Sequence, residues 1–341
     1  MRTSSAYRDG FRRVNGAPMV VLGMFAVTLL VALPLSIALG GMIEAHLGAS
    51  LAAESAAAGT NYDWWQEFSA QATGLATTFV PSIIGAGAVL GNLSALLDNT
   101  RLATTIAGAT AAWMVIWSFL SGGVLDRLAR ARRTRSSGFF AACGVHFWRF
   151  LRLGAVAWCV YAALFGYVHG WIFTYGVGRL TRDVTVERTG FLIRLGGYLL
   201  FGALLVLANI AFDYARIRIV VEDRRSALGG LAAGARFAWR QAGAVLALYL
   251  MNALAFLLVV LLYAVASPGA PGAGLGALAV LALGEAYIFA RHYLKLVFYA
   301  SETAFFQGAL VHAAYTAAPA VVWPDSPAAE SIANAGGAAA R

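Results

Sequence analysis

The sequence predicts an all-α, polytopic membrane protein with about six transmembrane helices in three hairpins, joined on the cytoplasmic side by interfacial elbow helices. Three observations lead to this fold class: the composition, a series of long apolar runs, and basic segments that alternate with those runs. Of the 341 residues, 60% are hydrophobic and 12% are charged. Since soluble domains carry about 25% charged residues, hydrocarbon must solvate much of this chain.

Six apolar runs meet or approach the roughly 20 residues that a helix needs to cross a bilayer core. The first is too long for the apolar part of a cleavable signal peptide, about 7–15 residues, and predicts an uncleaved anchor. The last two are separated by a turn rich in proline and glycine, which cannot continue a helix. The runs are Ala17–Ile43, Leu102–Leu125, Leu153–Gly178, Leu195–Phe212, Ala242–Ser267 and Ala273–Ala290.

The arginines predict the orientation, because cytoplasmic loops of membrane proteins carry an excess of basic residues. Arginines are concentrated before the first run, between the second and third, and between the fourth and fifth. The opposite segments carry fewer arginines, diluted by acidic residues. We therefore expect both termini in the cytoplasm and the chain in a bacterial inner membrane.

This orientation divides the chain into a cytoplasmic N-terminus (1–16), a transmembrane domain (17–307) with an external segment (44–101), and a cytoplasmic tail (308–341). Residues 69–97 are uncharged. This composition is compatible with an external hairpin, a re-entrant segment or a seventh span. A seventh span would move the arginines after the second run to the outer side, against the charge rule. We expect an external or re-entrant segment.

The net charge of +9 predicts contact with membrane lipid and not with nucleic acid, because the arginines lie in short stretches between apolar runs. Cys143 falls in a basic stretch and Cys159 inside a predicted span, so no disulfide is expected between them. The histidines form no ligand cluster with the cysteines, and no phosphate loop or hydrolase motif is present. We predict no metal, no cofactor and no enzymatic activity.

The sequence pattern indicates an internal repeat of three units. Each unit consists of a basic elbow, a step of Gly and Ala, an apolar run and a returning helix. The elbows lie at 10–17, 146–155 and 236–244, and the returning helices end at 126–130, 213–216 and 291–295. The ordinary alternative is that any helix that enters from the cytoplasm acquires arginines and aromatic residues.

The second elbow has Phe140, Cys143, Phe147 and Phe150 at helical spacing. This pattern predicts an amphipathic helix in the interface, with its aromatic side chains in the acyl boundary and its arginines toward anionic headgroups. The predicted headgroup contacts of the second and third elbows are Arg149, Arg152, Arg236 and Arg240.

The stretch Phe212–Glu222, which reads FDYARIRIVVE, together with elbow helices between hairpins, resembles poorly characterised bacterial six-span membrane protein families. These include proteins similar to the membrane domain of glycerophosphodiester phosphodiesterases. The resemblance covers residues 138–307 and implies a six-span architecture. It carries over no catalytic residue, since the soluble phosphodiesterase barrel has no counterpart in this sequence.

Ionisable and amide side chains inside predicted spans are the candidate functional residues, because such groups are costly at membrane depth. Glu285 and His292 are seven residues apart on one helix face and suggest a proton or cation site. His169, Asn209 and Asn252 complete the candidate polar site. The competing interpretation is structural, because polar side chains commonly hold membrane helices together.

Two carboxylates at the inner helix ends, Asp126 and Asp213, are spaced to pair with Arg130 and Arg216 across one helical turn.

The functional hypothesis from the sequence as a whole is a non-enzymatic scaffold or accessory subunit that packs with other membrane protein subunits or lipid. The alternative is a small-solute or lipid transporter, since transporters are often built from internal repeats. Convergence of Glu285, Asn209 and Asn252 on one cavity would favour the transporter.

Overall fold

The computed structural model describes residues 3–48, 50–58, 61–80, 86–100, 104–131, 134–267 and 274–317. These ranges are helical and contain no strand, which confirms the all-α class. Their α-helices are α1 (Thr3–Asn15), α2 (Pro18–Leu47), α3 (Ala53–Ala58), α4 (Tyr62–Gln71), α5 (Ala86–Leu97), α6 (Thr104–Arg130), α7 (Ser136–Ala163), α8 (Gly178–Thr181), α9 (Glu187–Val221), α10 (Ala227–Arg240), α11 (Ala242–Ala266) and α12 (Leu275–Ala317).

Six helices of the described part are long and apolar enough to cross a membrane, which confirms the predicted number of spans. The third span is one continuous helix, because two π-helical segments, Leu164–Val168 and Trp171–Val177, connect α7 to α8. Within residues 69–97, the described helices are a 3₁₀ turn, Gly74–Thr78, and α5. The 12 described residues of α5 extend about 18 Å along the helix axis, and α5 is not among the six candidate spans of the described part.

The long helices extend past the predicted runs at the end of the bundle that carries α1 and α10. We call this the basic end, because α1, α10 and the ends of α6 and α9 all carry arginine there. There α7 begins at Ser136, well before the predicted Leu153, and α12 continues to Ala317, beyond the predicted Ala290. Hydropathy marks the part of a helix that lipid surrounds, and it does not register a continuation that packs on protein.

The second helix of each hairpin returns to the basic end, and these returning helices, α6, α9 and α12, contact one another. An elbow from another hairpin packs on each of them: the first half of α7 on α6, α10 on α9, and α1 on α12. The order is cyclic, since the first elbow of the chain lies on the last helix. The repeated units of the sequence therefore correspond to a repeated packing of elbow on returning helix.

A glycine permits close approach in each of these three contacts. A Cβ built on Gly10 of α1 would lie 2.8 Å from Cβ of Ser301 on α12, and one on Gly234 of α10 would lie 2.6 Å from the backbone nitrogen of Ala215 on α9. In the remaining pair the glycine is on the returning helix, where a Cβ on Gly123 would meet Sγ of Cys143 at 2.5 Å. Helices that approach this closely need glycine at the contact.

The second elbow differs from its prediction, since it is the beginning of the third span and not a separate helix. Its face with Cys143 and Phe150 is buried on protein, so the prediction that this face lies in the acyl boundary is wrong. The closeness of α6, which Gly123 allows, explains the burial. Phe140 and Trp148 are exposed. Both cysteines are free, as expected from their separation.

The segment between the first two spans packs at the opposite end of the bundle. Trp64 and Phe68 form a small core with Ala76 against the last turns of α2, and Nε1 of Trp64 donates to Nδ1 of His46 at 3.0 Å. Beyond α5, the side-chain amide of Asn99 donates to the backbone oxygen of Phe165 in the third span at 2.9 Å. These contacts attach both ends of the segment to transmembrane helices.

The alternation of spans gives a first testable prediction, the orientation. In a background with Cys143→Ala and Cys159→Ala, a membrane-impermeant maleimide added outside should modify Glu54→Cys and Asp63→Cys, both exposed positions. It should modify Arg236→Cys, exposed on α10, only after the membrane is permeabilised. The same holds for Arg132→Cys, at a position outside the described residues. Labelling of Arg236→Cys on intact cells would reverse the orientation.

Candidate functional site

A set of charged and aromatic side chains lies where the three returning helices meet, and we call it the core cluster. Asp213, on α9, is 6% exposed and Glu302, on α12, is 1% exposed. Charges at such positions are costly unless they are paired. The core cluster consists of Trp117 from α6, Asp213 and Arg216 from α9, and Lys295, Tyr299 and Glu302 from α12.

The two cations of the core cluster are held by partners on different helices. Nη1 of Arg216 donates to Oδ1 of Asp213 at 2.9 Å and to the hydroxyl of Tyr299 at 3.1 Å. Nζ of Lys295 lies 3.9 Å from the centroid of the Trp117 ring, a cation–π geometry. The rings of Trp117 and Tyr299 stack at 6.0 Å, so all three returning helices contribute to one connected network.

Each returning helix carries one buried acid near its elbow contact: Asp126, Asp213 and Glu302. The first two pair with an arginine one turn further along, as the sequence predicts, with Arg130 at 2.7 Å and Arg216 at 2.9 Å. At the corresponding positions α12 has two phenylalanines in place of an arginine. Glu302 is thus the acid of the three that has no arginine one helical turn further along.

Within the described part of the chain, several buried side-chain oxygens on α9 and α12 have no hydrogen-bond partner. Among them are Oε2 of Glu302 and the hydroxyls of Tyr214 and Thr303. Glu302 is close enough to Asp213 and Tyr214 to interact with both electrostatically. Since buried polar atoms are nearly always satisfied, these groups have the chemistry to take up a proton or to bond internal water.

The predicted pair of Glu285 and His292 does not form a joint site in the structure. Nε2 of His292 bonds instead to the hydroxyl of Thr28 on α2, at 2.9 Å. Oε2 of Glu285 is buried and has no hydrogen-bond partner among the described residues. Within the described part, the two side chains make no direct bond with each other.

The two predicted asparagines connect pairs of neighbouring helices. The amide of Asn252 on α11 donates to Ser301 on α12 at 3.0 Å and to the backbone oxygen of Leu248 at 3.0 Å. The amide of Asn209 on α9 donates to the hydroxyl of Tyr249 on α11 at 3.3 Å. These bonds match the structural interpretation of amides as links between helices.

His169 lies at the opposite end, where it attaches the external segment. Its Nε2 bonds to the backbone oxygen of Leu97 at 2.9 Å, and its ring packs on Phe173 at 4.5 Å. Beside it, Asp98 accepts hydrogen bonds from Tyr198 and Ser94. These bonds hold the pKa of Asp98 below its ordinary value. His169 and Asp98 thus belong to a junction that joins the segment between the first two spans to the third and fourth spans.

The predicted headgroup contacts divide into two kinds. Arg149 donates to Oδ1 of Asp223 at 2.5 Å, and this bond lowers the pKa of Asp223. Arg149 therefore links the second elbow to the loop after α9. Arg152, Arg236 and Arg240 are exposed, and their contact with headgroups stays a prediction.

Sequence reasoning missed Glu302 and the contact of Lys295 with the Trp117 ring. The predicted last span ended at Ala290, which placed Lys295 at a cytoplasmic helix end and Glu302 in the region beyond. The signal that identifies Glu302 is its alignment with Asp126 and Asp213, the acids at the ends of the other two returning helices. The third unit ends at this glutamate and not at 291–295.

Two open cavities lie on the surface of the described part, away from the core cluster. One, of about 570 Å³, follows the π-helical part of the third span beside Tyr167, Trp171 and Tyr175. The other, of about 510 Å³, lies at the basic end and is lined by Asp9, Arg12, Arg13, Gly16, Arg127 and Ala131. Glu285, Asn209 and Asn252 line neither of them.

The chain was compared with protein-family models, with curated proteins and with solved structures, and none of them matches it. The resemblance to the membrane domain of glycerophosphodiester phosphodiesterases therefore stays a prediction.

Proposed function

We propose that this integral membrane protein is a non-enzymatic scaffold or accessory subunit of the bacterial inner membrane, which packs with other membrane protein subunits and with lipid. The observation that supports the proposal most directly is the closed packing of the basic end. Three returning helices contact one another there and an elbow packs on each. Such packing suits a rigid element that presents its sides and its basic end to partners.

The candidate polar residues support the same proposal. Asn252 bonds to Ser301 and Asn209 to Tyr249, so both connect helices directly. Neither Glu285 nor the two asparagines line either of the two cavities described above. A transporter that moves one helix group against another needs a site between the groups, whereas these bonds hold neighbouring helices together.

One specific observation favours the alternative, a small-solute or lipid transporter. Glu302 breaks the repeated pairing of acid and arginine, and its Oε2 is buried and has no hydrogen-bond partner among the residues that the structure describes. A carboxyl at such a position is costly to ionise, which is the property that proton-coupled carriers use. Under this alternative, Glu302 and not Glu285 is the residue that binds the coupled ion.

The two functions are separated by carboxyl-to-amide variants in two assays. The scaffold proposal expects that wild type, Glu285→Gln and Glu302→Gln copurify with the same membrane proteins in mild detergent, identified by mass spectrometry. It also expects no solute flux above empty proteoliposomes under an imposed proton gradient. Glu54→Gln, at an exposed external position, is the matched control. Flux in wild type that disappears in Glu302→Gln but persists in Glu54→Gln would refute the scaffold proposal in favour of the transporter.

A further inference from the structure

The cavity at the basic end is built from positive charge. Arg12, Arg13 and Arg127 line it with one carboxylate, Asp9. Three guanidinium groups against one carboxylate leave an excess of two positive charges in the cavity. Basic pockets of this kind, beside membrane helices, have the composition that recognises the phosphate of a lipid headgroup.

Two of the three arginines are fixed by the protein. Nε of Arg13 donates to Asp9 at 2.8 Å, and its Nη1 donates to the backbone oxygen of Leu128 at 3.0 Å. Nη2 of Arg127 donates to the backbone oxygen of Gly16 at 2.6 Å. Arg127 is 7% exposed. These bonds hold two positive charges on the wall of the cavity before a ligand binds. Binding therefore has no further entropy cost for ordering these two side chains.

The third arginine is free to move onto a ligand. The side chain of Arg12 is 84% exposed and bonds to Asp9 at 2.6 Å, an exposed ion pair of little net strength. A phosphate that replaced Asp9 as its partner would gain a charge-assisted hydrogen bond from a planar guanidinium, for which phosphate is a favoured acceptor. The cavity thus combines a fixed positive wall with one mobile donor.

The position of the cavity identifies the source of the phosphate. It lies at the break between α1 and α2, and the apolar run of the first span begins at Ala17, directly after the lining residue Gly16. The next turn exposes Met19 and Leu22. Lipid phosphates lie just outside the hydrocarbon core, so a headgroup at this level has its acyl chains beside α2.

We propose that Arg12, Arg13 and Arg127 form a binding site for the phosphate of an anionic phospholipid headgroup at the junction of α1, α2 and α6. The site is distinct from the predicted contacts of Arg149, Arg152, Arg236 and Arg240. It depends on the membrane location of the chain and holds for a scaffold and for a transporter alike.

Native mass spectrometry of the full chain in detergent tests this site with phosphatidylglycerol, phosphatidylcholine and inorganic phosphate as probes. We expect one phosphatidylglycerol to bind at least about tenfold more tightly than phosphatidylcholine, since one charge-assisted bond accounts for a factor of this size. Arg12→Gln should remove this preference, whereas Arg135→Gln, at an exposed arginine just before α7 that lines neither cavity, should keep it. Asp9→Asn should strengthen binding severalfold, because it removes the competing carboxylate, and a gain cannot result from misfolding.

Three outcomes would overturn the proposal. An equal loss in Arg12→Gln and Arg135→Gln would mean that diffuse surface charge, and not the cavity, attracts the lipid. Inorganic phosphate that displaces the lipid at equal concentration would identify a site for free phosphate. Unchanged or weaker binding in Asp9→Asn would show that excess positive charge in the cavity does not hold the headgroup.

Discussion

Replacement of Asp213 by alanine should destabilise the protein by about 3–5 kcal/mol, the usual cost of removing one partner from a buried ion pair. The variant leaves the Arg216 guanidinium between α9 and α12 with the Tyr299 hydroxyl and without its carboxylate. The loss should appear as a lower midpoint of unfolding in detergent, followed by tryptophan fluorescence. A double variant, Asp213→Leu with Arg216→Met, should recover most of the loss, because apolar residues of similar volume replace a buried pair at little cost.

The matched control is Asp223→Ala, since Asp223 also pairs with an arginine, Arg149, but has a side chain that is 74% exposed. Its removal should shift the midpoint far less, because the exposed Asp223 is already solvated by water and an ion pair with an exposed partner contributes little net energy. Equal effects of Asp213→Ala and Asp223→Ala would contradict the assignment of Asp213 to a buried network. Failure of the double variant to recover stability would mean that the carboxylate has a role beyond its pairing with Arg216.

A methyl group added at Gly234 should have the second largest effect, a loss of about 1–3 kcal/mol, as for other overpacked sites. The added Cβ would lie 2.6 Å from the backbone nitrogen of Ala215 and 2.9 Å from the carbonyl carbon of Tyr214. Backbone atoms of a packed helix cannot move aside as a flexible side chain does, so α10 must separate from α9. Thermal unfolding of Gly234→Ala, monitored by size-exclusion chromatography after heating, measures the loss.

Gly202→Ala is the control, because Gly202 is a helical position of α9 at which an added Cβ meets nothing within 4 Å. Alanine favours helix over glycine by about 1 kcal/mol, so this variant should be neutral or slightly stabilised. The two variants make the same chemical change with opposite expected signs. A stabilised Gly234→Ala protein would contradict the close contact between α9 and α10.

The number of spans could be predicted from the sequence, because hydropathy and arginine placement report directly on the surrounding solvent. The same signals misjudged helix ends. The continuation of α12 past Ala290 packs on α1 and contains polar residues such as Glu302. A polar residue buried on protein is indistinguishable, by hydropathy, from one that lies in water.

The candidate site was predicted in part. The pairing of Asp126 and Asp213 with arginines one turn away followed from helical spacing, and the structure confirms it. The connection of Arg216 with Tyr299 could not be predicted, because it joins side chains 83 positions apart. No spacing rule within one helix gives such a contact, since it depends on which returning helices are neighbours.

The contact of α1 with α12 has a consequence for the order in which the protein forms. The elbow contacts of α7 with α6 and of α10 with α9 join elements that follow each other in the chain, so each can form as soon as its two helices have been made. Gly10, in contrast, meets Ser301, a residue that is synthesised only after the first five spans. We therefore expect α1 to wait at the membrane surface until the third hairpin inserts, so that the ring closes only after this insertion and stays open in any chain that ends before α12.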